Sequence, residues 1–149
     1  MATITPKLTI TANANTASTP GPMSVALSLS TSLALTVDKT QARTHTFASA
    51  TDHFTIIDAS TEDLGSEEAG LNGCFVYVKN ISASDLDIYI GATHDLAAGD
   101  LSSNANADRL FTLRQNEFAF FPWDYTNDIT TDAASGAVLE YFVFNRSNT

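Results

Sequence analysis

Alternation of apolar and polar residues is the strongest signal in the chain, and it is clearest between Val25 and Val37. Val25, Leu27, Leu29, Thr31, Leu33, Leu35 and Val37 take the odd positions, with Ala26, Ser28, Ser30, Ser32, Ala34 and Thr36 between them. A repeat of two is the spacing of a β-strand, whose side chains point to opposite faces in turn. A three-residue turn over Ser30-Thr31-Ser32 pairs Leu29 with Leu33, Leu27 with Leu35 and Val25 with Val37 on one face, whereas a two-residue turn at Ser30-Thr31 splits them between faces. A single strand over the same stretch would be roughly 43 Å long at about 3.3 Å per residue, long for a small domain. No Gly or Asn marks a turn, so hairpin and long strand both stay open.

Further strands are predicted at RTHTFA (43–48), HFTIID (53–58), CFVYVKNI (74–81), LDIYIG (86–91), RLFTLR (109–114), EFAFFPW (117–123) and AVLEYFVFN (137–145). Turn-forming segments separate them at 61–73, 82–85, 93–108 and 124–136. Strands at such short spacing, with no sustained 3.6-residue pattern, predict an all-β chain: an antiparallel, jelly-roll-like sandwich. No internal repeat or heptad is present.

Faces can be assigned within strands. Leu86, Ile88 and Ile90 are expected to point inward, with Asp87 and Tyr89 outward. In AVLEYFVFN, Val138, Phe142 and Phe144 share a face with Glu140, while Leu139, Tyr141 and Val143 line the other. Both faces of this strand are apolar, which places it between sheets or against a partner. Phe118, Phe120, Phe121, Trp123 and Tyr125 repeat the theme, with core packing the simpler reading and an intersubunit contact the other.

The N-terminal stretch alternates briefly around Ile4, Leu8 and Ile10, becomes rich in Ala, Asn, Thr and Ser, and closes on Pro20-Gly21-Pro22. That tripeptide continues neither a helix nor a central strand. Residues 1–22 are therefore read as an extended arm and 23–149 as the sandwich domain. In an assembly the arm would lie across a neighbouring subunit through Ile4, Leu8 and Ile10.

Composition narrows the function classes. The chain has 149 residues, enough for a core without disulfide or metal staples, and a formal net charge of −10. Its seven basic residues are scattered singly. Nucleic-acid binding needs clustered Lys and Arg, so no nucleic-acid partner is expected. Strong acidity favours solubility, as suits a protein present in many copies. Cys74, the single cysteine, rules out an intramolecular disulfide and is expected to pack as a small apolar residue. No apolar run approaches the roughly 18 residues of a membrane helix, no secretory signal is evident, and the mature chain is expected to start near Met1.

The search for chemistry returns little. GxSxG, GxxxxGK[ST], HExxH and GxGxxG are all missing. His45, His53 and His94 lie on separate segments without metal-pair spacing. Asn104, Asn106 and Asp108, like Asp124, Asn127 and Asp128, gather oxygen ligands in loops but lack the central Gly and closing Glu of a Ca²⁺ loop, and read as solvated turn residues. The run Glu62, Asp63, Glu67 and Glu68 reads as an exposed loop. The expectation is a non-enzyme with no catalytic residues, metal or cofactor.

From Gly73 onward, VYVKNISASDLDIYIG, then LFTLRQNEFAFFPW, then AVLEYFVFN follow in an order that resembles a module of structural proteins of tailed bacteriophages, particularly those of cyanobacteria and marine bacteria. The likeness covers about half the chain; the first 70 residues match no cement family. It implies a virion component, best a capsid decoration (cement) protein on the capsid exterior. The partners it implies are the major capsid protein and copies of the chain itself, as a homotrimer. A tail, fibre or neck component is the alternative, including a receptor- or glycan-binding module with Tyr89, Trp123 and Tyr125 as stacking aromatics.

Overall fold

The computed structural model describes residues 2–5, 7–12, 25–30, 35–50, 52–59, 73–92, 101, 108–123 and 127–146. Every regular element among them is a strand: β1 (Ala2–Ile4), β2 (Lys7–Ala12), β3 (Val25–Ser30), β4 (Leu35–Thr46), β5 (His53–Ile57), β6 (Cys74–Asn80), β7 (Ile88–Gly91), β8 (Arg109–Leu113), β9 (Phe118–Trp123), β10 (Ile129–Ala133) and β11 (Val138–Arg146). The chain divides into two compact units, Met1–Val37 and Asp38–Thr149.

In the first unit β1 pairs antiparallel with the start of β4, Ile4 opposite Leu35 and Ala2 opposite Val37. β2 and β3 form a two-stranded antiparallel ribbon in which Leu8 faces Leu29 and Ile10 faces Leu27. Of the stretch from Val25 to Val37, residues 31–34 lie outside the described ones, and the described arms do not pair with each other as the hairpin requires. These arms each pair with an N-terminal strand instead: Leu27 and Leu29 find apolar partners in Ile10 and Leu8, which the same register rule satisfies equally well.

The second unit is an antiparallel sandwich. One sheet has the order β4-β11-β6-β9 and the other β5-β10-β7-β8. The pairing is nested: β4 lies beside β11, β5 beside β10, β6 beside β9 and β7 beside β8. Hydrogen bonds carry this pairing around the corners where the chain changes sheets. Between β4/β11 and β5/β10, Phe47 N–H donates to Ala137 O at 3.0 Å and Gly136 N–H donates to Phe47 O at 2.8 Å. Between β6/β9 and β7/β8, Asn80 N–H donates to Glu117 O and Asn116 N–H to Asn80 O. Gly136 sits there at φ 89°, a backbone that a side chain strains, and Asn116 at φ 66°, where Asn is among the few tolerated residues.

Both sheets feed a single core. Val76, Val78, Leu139, Tyr141 and Val143 from the first meet Ile56, Ile57, Ile88, Ile90, Leu113 and Ile129 from the second. Cys74 is buried in the same cluster, as its sequence context predicts. At about 1.5–3 kcal/mol per fully buried aliphatic side chain, this cluster is the main stabilising contribution.

One strand was not expected. The stretch 124–136 reads as a turn, yet β10 lies within it and forms the second strand of its sheet. Its sequence, ITTDA, hides the period-two pattern because two of its inward positions are only Thr131 and Ala133. Thr131 is fully buried and satisfies its hydroxyl by donating to Phe54 O at 2.8 Å. A β-branched residue with a local acceptor behaves there as an apolar one would.

The corner after β6 explains the polar residues that end VYVKNIS. Asn80 is fully buried. Its Nδ2 donates to Leu86 O and Leu113 O, and its Oδ1 accepts from Ser82 N–H. Ser82 Oγ accepts from Val138 N–H, and Gln115 Nε2 donates to Ser82 O. Three side chains therefore clamp the backbone of Leu86, Leu113, Ser82 and Val138 at the point where the chain crosses between sheets.

Candidate functional site

The outward face of β11, β6 and β9 forms a grid of nine positions. Strict alternation places Leu139, Tyr141 and Val143 of β11, and Cys74, Val76 and Val78 of β6, in the core, so their neighbours in sequence must face out. Cross-strand register then fixes three rows: Phe144, Phe75 and Pro122; Phe142, Tyr77 and Phe120; Glu140, Lys79 and Phe118. Seven of the nine are apolar or aromatic.

The rings form one contiguous layer. Phe75 and Phe120 stack with centroids 5.4 Å apart and planes 4° from parallel. Phe142 and Phe144 stack at 6.1 Å, Tyr77 meets Phe142 edge-on at 5.6 Å, and Tyr77 lies 6.1 Å from Phe118. Tyr77, Phe120, Glu140, Phe142 and Phe144 line a shallow, open groove. Phe118 is 56% exposed and Phe120 40%, values far outside the range of core aromatics.

The polar content of the face is small and balanced. Glu140 and Lys79 are direct cross-strand partners, one negative and one positive. Burial, followed by the charge of Glu140 and a hydrogen bond from the Tyr77 hydroxyl to that carboxylate, raises the Tyr77 phenol above its ordinary 10.0. The titratable groups of the grid are Tyr77, Lys79 and Glu140. Among the described residues, no three His, Cys, Asp or Glu side chains converge as a metal would require, and no helix is long and apolar enough to cross a membrane.

The residues singled out from sequence fall in several places. Ile4 lies on β1, and Leu8 and Ile10 on β2, each in a paired register position. Tyr89 is on the outward face of the other sheet, opposite Asp132 and Thr112, with the Arg109 guanidinium 5.4 Å from its ring centre. Trp123 points to the core side of β9, packs edge-on against Phe121 and donates from Nε1 to Asn127 O. Tyr89 and Trp123 are both half-buried, and Tyr125 lies outside the described residues. The loop oxygen clusters also fall wholly or partly outside them. Of the second cluster, Asp128 accepts from Ala59 N–H at 2.8 Å and is 6% exposed.

Sequence reasoning found Phe118, Phe120, Phe142 and Phe144 as a theme but did not join Phe75 and Tyr77 to them. The signal was there: once 74–81 and 117–123 are strands, Phe75 and Tyr77 share a parity, as do Phe118 and Phe120. What the sequence could not supply was the neighbour relation β11-β6-β9. Compared with protein-family models, curated proteins and solved structures, the chain matches none.

Proposed function

We propose that the chain is a non-enzymatic structural protein of a virion, and within it a capsid decoration protein that binds and stabilises the major capsid shell from outside. The observation that carries the assembly half of this reading is the aromatic grid. A contiguous apolar patch on a soluble monomer marks a contact surface, and this one has the aromatic enrichment and charge depletion of an interface centre. A glycan site would need polar groups arranged among the rings to hold sugar hydroxyls; the grid offers one carboxylate, one ammonium and one phenol.

The virion half is supported by the order of VYVKNISASDLDIYIG, LFTLRQNEFAFFPW and AVLEYFVFN, and by the nested strand pairing. We read that pairing as a jelly roll, an architecture that recurs in viral capsid and lectin domains. Architecture alone does not assign function, so the resemblance and the grid have to act together. Contact with the shell is assigned to the N-terminal residues, Ile4, Leu8 and Ile10 among them.

Antibody labelling of purified particles, read by electron microscopy, tests the proposal. Label over the capsid surface is the expected result. Label confined to the tail would move the chain to a tail, fibre or neck role. A chain missing from purified particles altogether overturns the virion reading.

A further inference from the structure

We infer that the aromatic grid of β11, β6 and β9 is a self-association surface, on which two copies of this chain meet face to face about a two-fold axis. The inference deepens the assembly reading above by naming the partner of that face.

Three observations lead there. The first is charge. Two copies carrying −10 each repel, so they can approach closely only through a face whose own charge sums to zero. The grid meets that condition, with Lys79 and Glu140 as its two charged groups. The second is symmetry. A two-fold contact presents the same patch from both sides, so a patch with one cation and one anion can complement itself: Lys79 of each copy meets Glu140 of the other. An acidic or basic foreign partner would gain nothing from such a balanced pair. The third is where the exposure falls. Phe118 and Phe120, the most exposed rings, lie together on β9, the edge strand of the sheet, next to the half-buried Phe75 and Tyr77. Bringing two such layers together buries ring against ring, the contact that contributes most per residue in protein interfaces.

Size sets the strength. Three strands about 4.8 Å apart and five residues at about 3.3 Å each give a flat footprint on the order of 250 Å². Permanent interfaces bury about 800 Å² per partner, so a contact centred on the grid belongs to the weak, reversible class. In solution it therefore depends on concentration. On a particle holding many copies side by side, effective concentrations near the millimolar range would populate it. An isologous face of this kind makes pairs and closes, so the trimers that the resemblance implies would need another surface.

Sedimentation velocity on the full chain, over a concentration series into the millimolar range, tests the inference. Wild type is expected to move from the mass of one chain to that of two. Replacing Phe118 and Phe120, the most exposed rings of the grid, together by Ser should weaken the pairing at least about tenfold, since they are the aromatic surface that pairing would cover most. Lys79→Glu and Glu140→Lys separately put like charges at the contact, and each variant alone should associate at least about tenfold less than wild type. An equimolar mixture of those two variants should recover pairing, because one face is now doubly negative and the other doubly positive. Recovery in the mixture cannot come from restored folding or from the cross-strand pair within one chain, and it decides the matter even if the Phe variant folds poorly. A wild type that stays single throughout, or pairing that neither the Phe nor the charge changes affect, overturns the inference. Either result leaves the particle-labelling test untouched, and failure of that test leaves this one standing.

Discussion

The two sheets of the sandwich share one core but present opposite outer faces. Outside β11, β6 and β9 lie five phenylalanines, a tyrosine and a proline, with Phe118 and Phe120 well exposed. Outside β5, β10, β7 and β8 the rows read His53, Asp132, Tyr89 and Thr112, then Thr55, Thr130, Gly91 and Arg109. The middle of the polar face is covered, Asp132 being 1% exposed and Thr130 3%, while Thr55 and Leu110 on its outer strands are exposed. Leu101, fully buried, sits over Gly91, and Arg109 Nη1 donates to Leu101 O at 3.4 Å. The middle of the polar face is thus covered by the chain itself, whereas on the aromatic face the β9 positions Phe118, Phe120 and Pro122 are exposed and the other six are half-buried. Folding alone would favour burying those rings, since apolar burial is the larger gain, so the exposed Phe118 and Phe120 point to a requirement outside the folded monomer.

Removing the cover should have the largest effect on stability. Leu101→Ala deletes a fully buried side chain and is expected to cost about 3 kcal/mol, the middle of the range for such truncations. Thermal melting should register it as a fall of roughly 10 °C. Next comes Asn80→Ala at the corner between the sheets, which strands the carbonyls of Leu86 and Leu113 and the amide of Ser82 in a buried site. Urea titration should show a loss of about 2–3 kcal/mol. Gly91→Ala should cost about 1–2 kcal/mol, because its Cβ would meet a Leu101 methyl at 2.9 Å and the Asp108 carbonyl oxygen at 3.0 Å.

The aromatic face should behave in the opposite way. Phe118→Ser with Phe120→Ser is expected to change stability by less than about 1 kcal/mol in the same titration, while weakening self-association at least about tenfold. Smallest of all is the effect of Tyr77. Its phenol ionises above 10.0 in the folded chain, because burial and then Glu140 oppose the phenolate, and at about 10.0 when unfolded. The stabilisation is present below pH 10 and is lost as pH rises through the folded value, since the unfolded chain then gives up the proton first. Melting temperatures of wild type should fall in that alkaline window, and Tyr77→Phe should flatten that fall.

Much of this contrast was legible in the sequence, and the limits are physical. The inward and outward sets of β11 follow directly from AVLEYFVFN, and Phe118 and Phe120 separate from Phe121 and Trp123 by parity alone. β10 was missed because Thr131 serves as a core residue only when Phe54 O lies beside it. The pairing of β3 with β2 was missed because alternation specifies a face and not a partner. Which outer face is covered could not be read at all. That depends on Leu101, one of two leucines in the stretch 93–108, reaching Gly91 from ten residues away in sequence.

The central claim is that Phe118 and Phe120, exposed in the free chain, are buried in the assembled one. Hydroxyl-radical footprinting of the protein free at low concentration and incorporated in particles, read by mass spectrometry at Phe118 and Phe120, measures this directly. Strong oxidation of both rings in the free chain and protection of both in the particle is the predicted result; equal oxidation in the two states would contradict it.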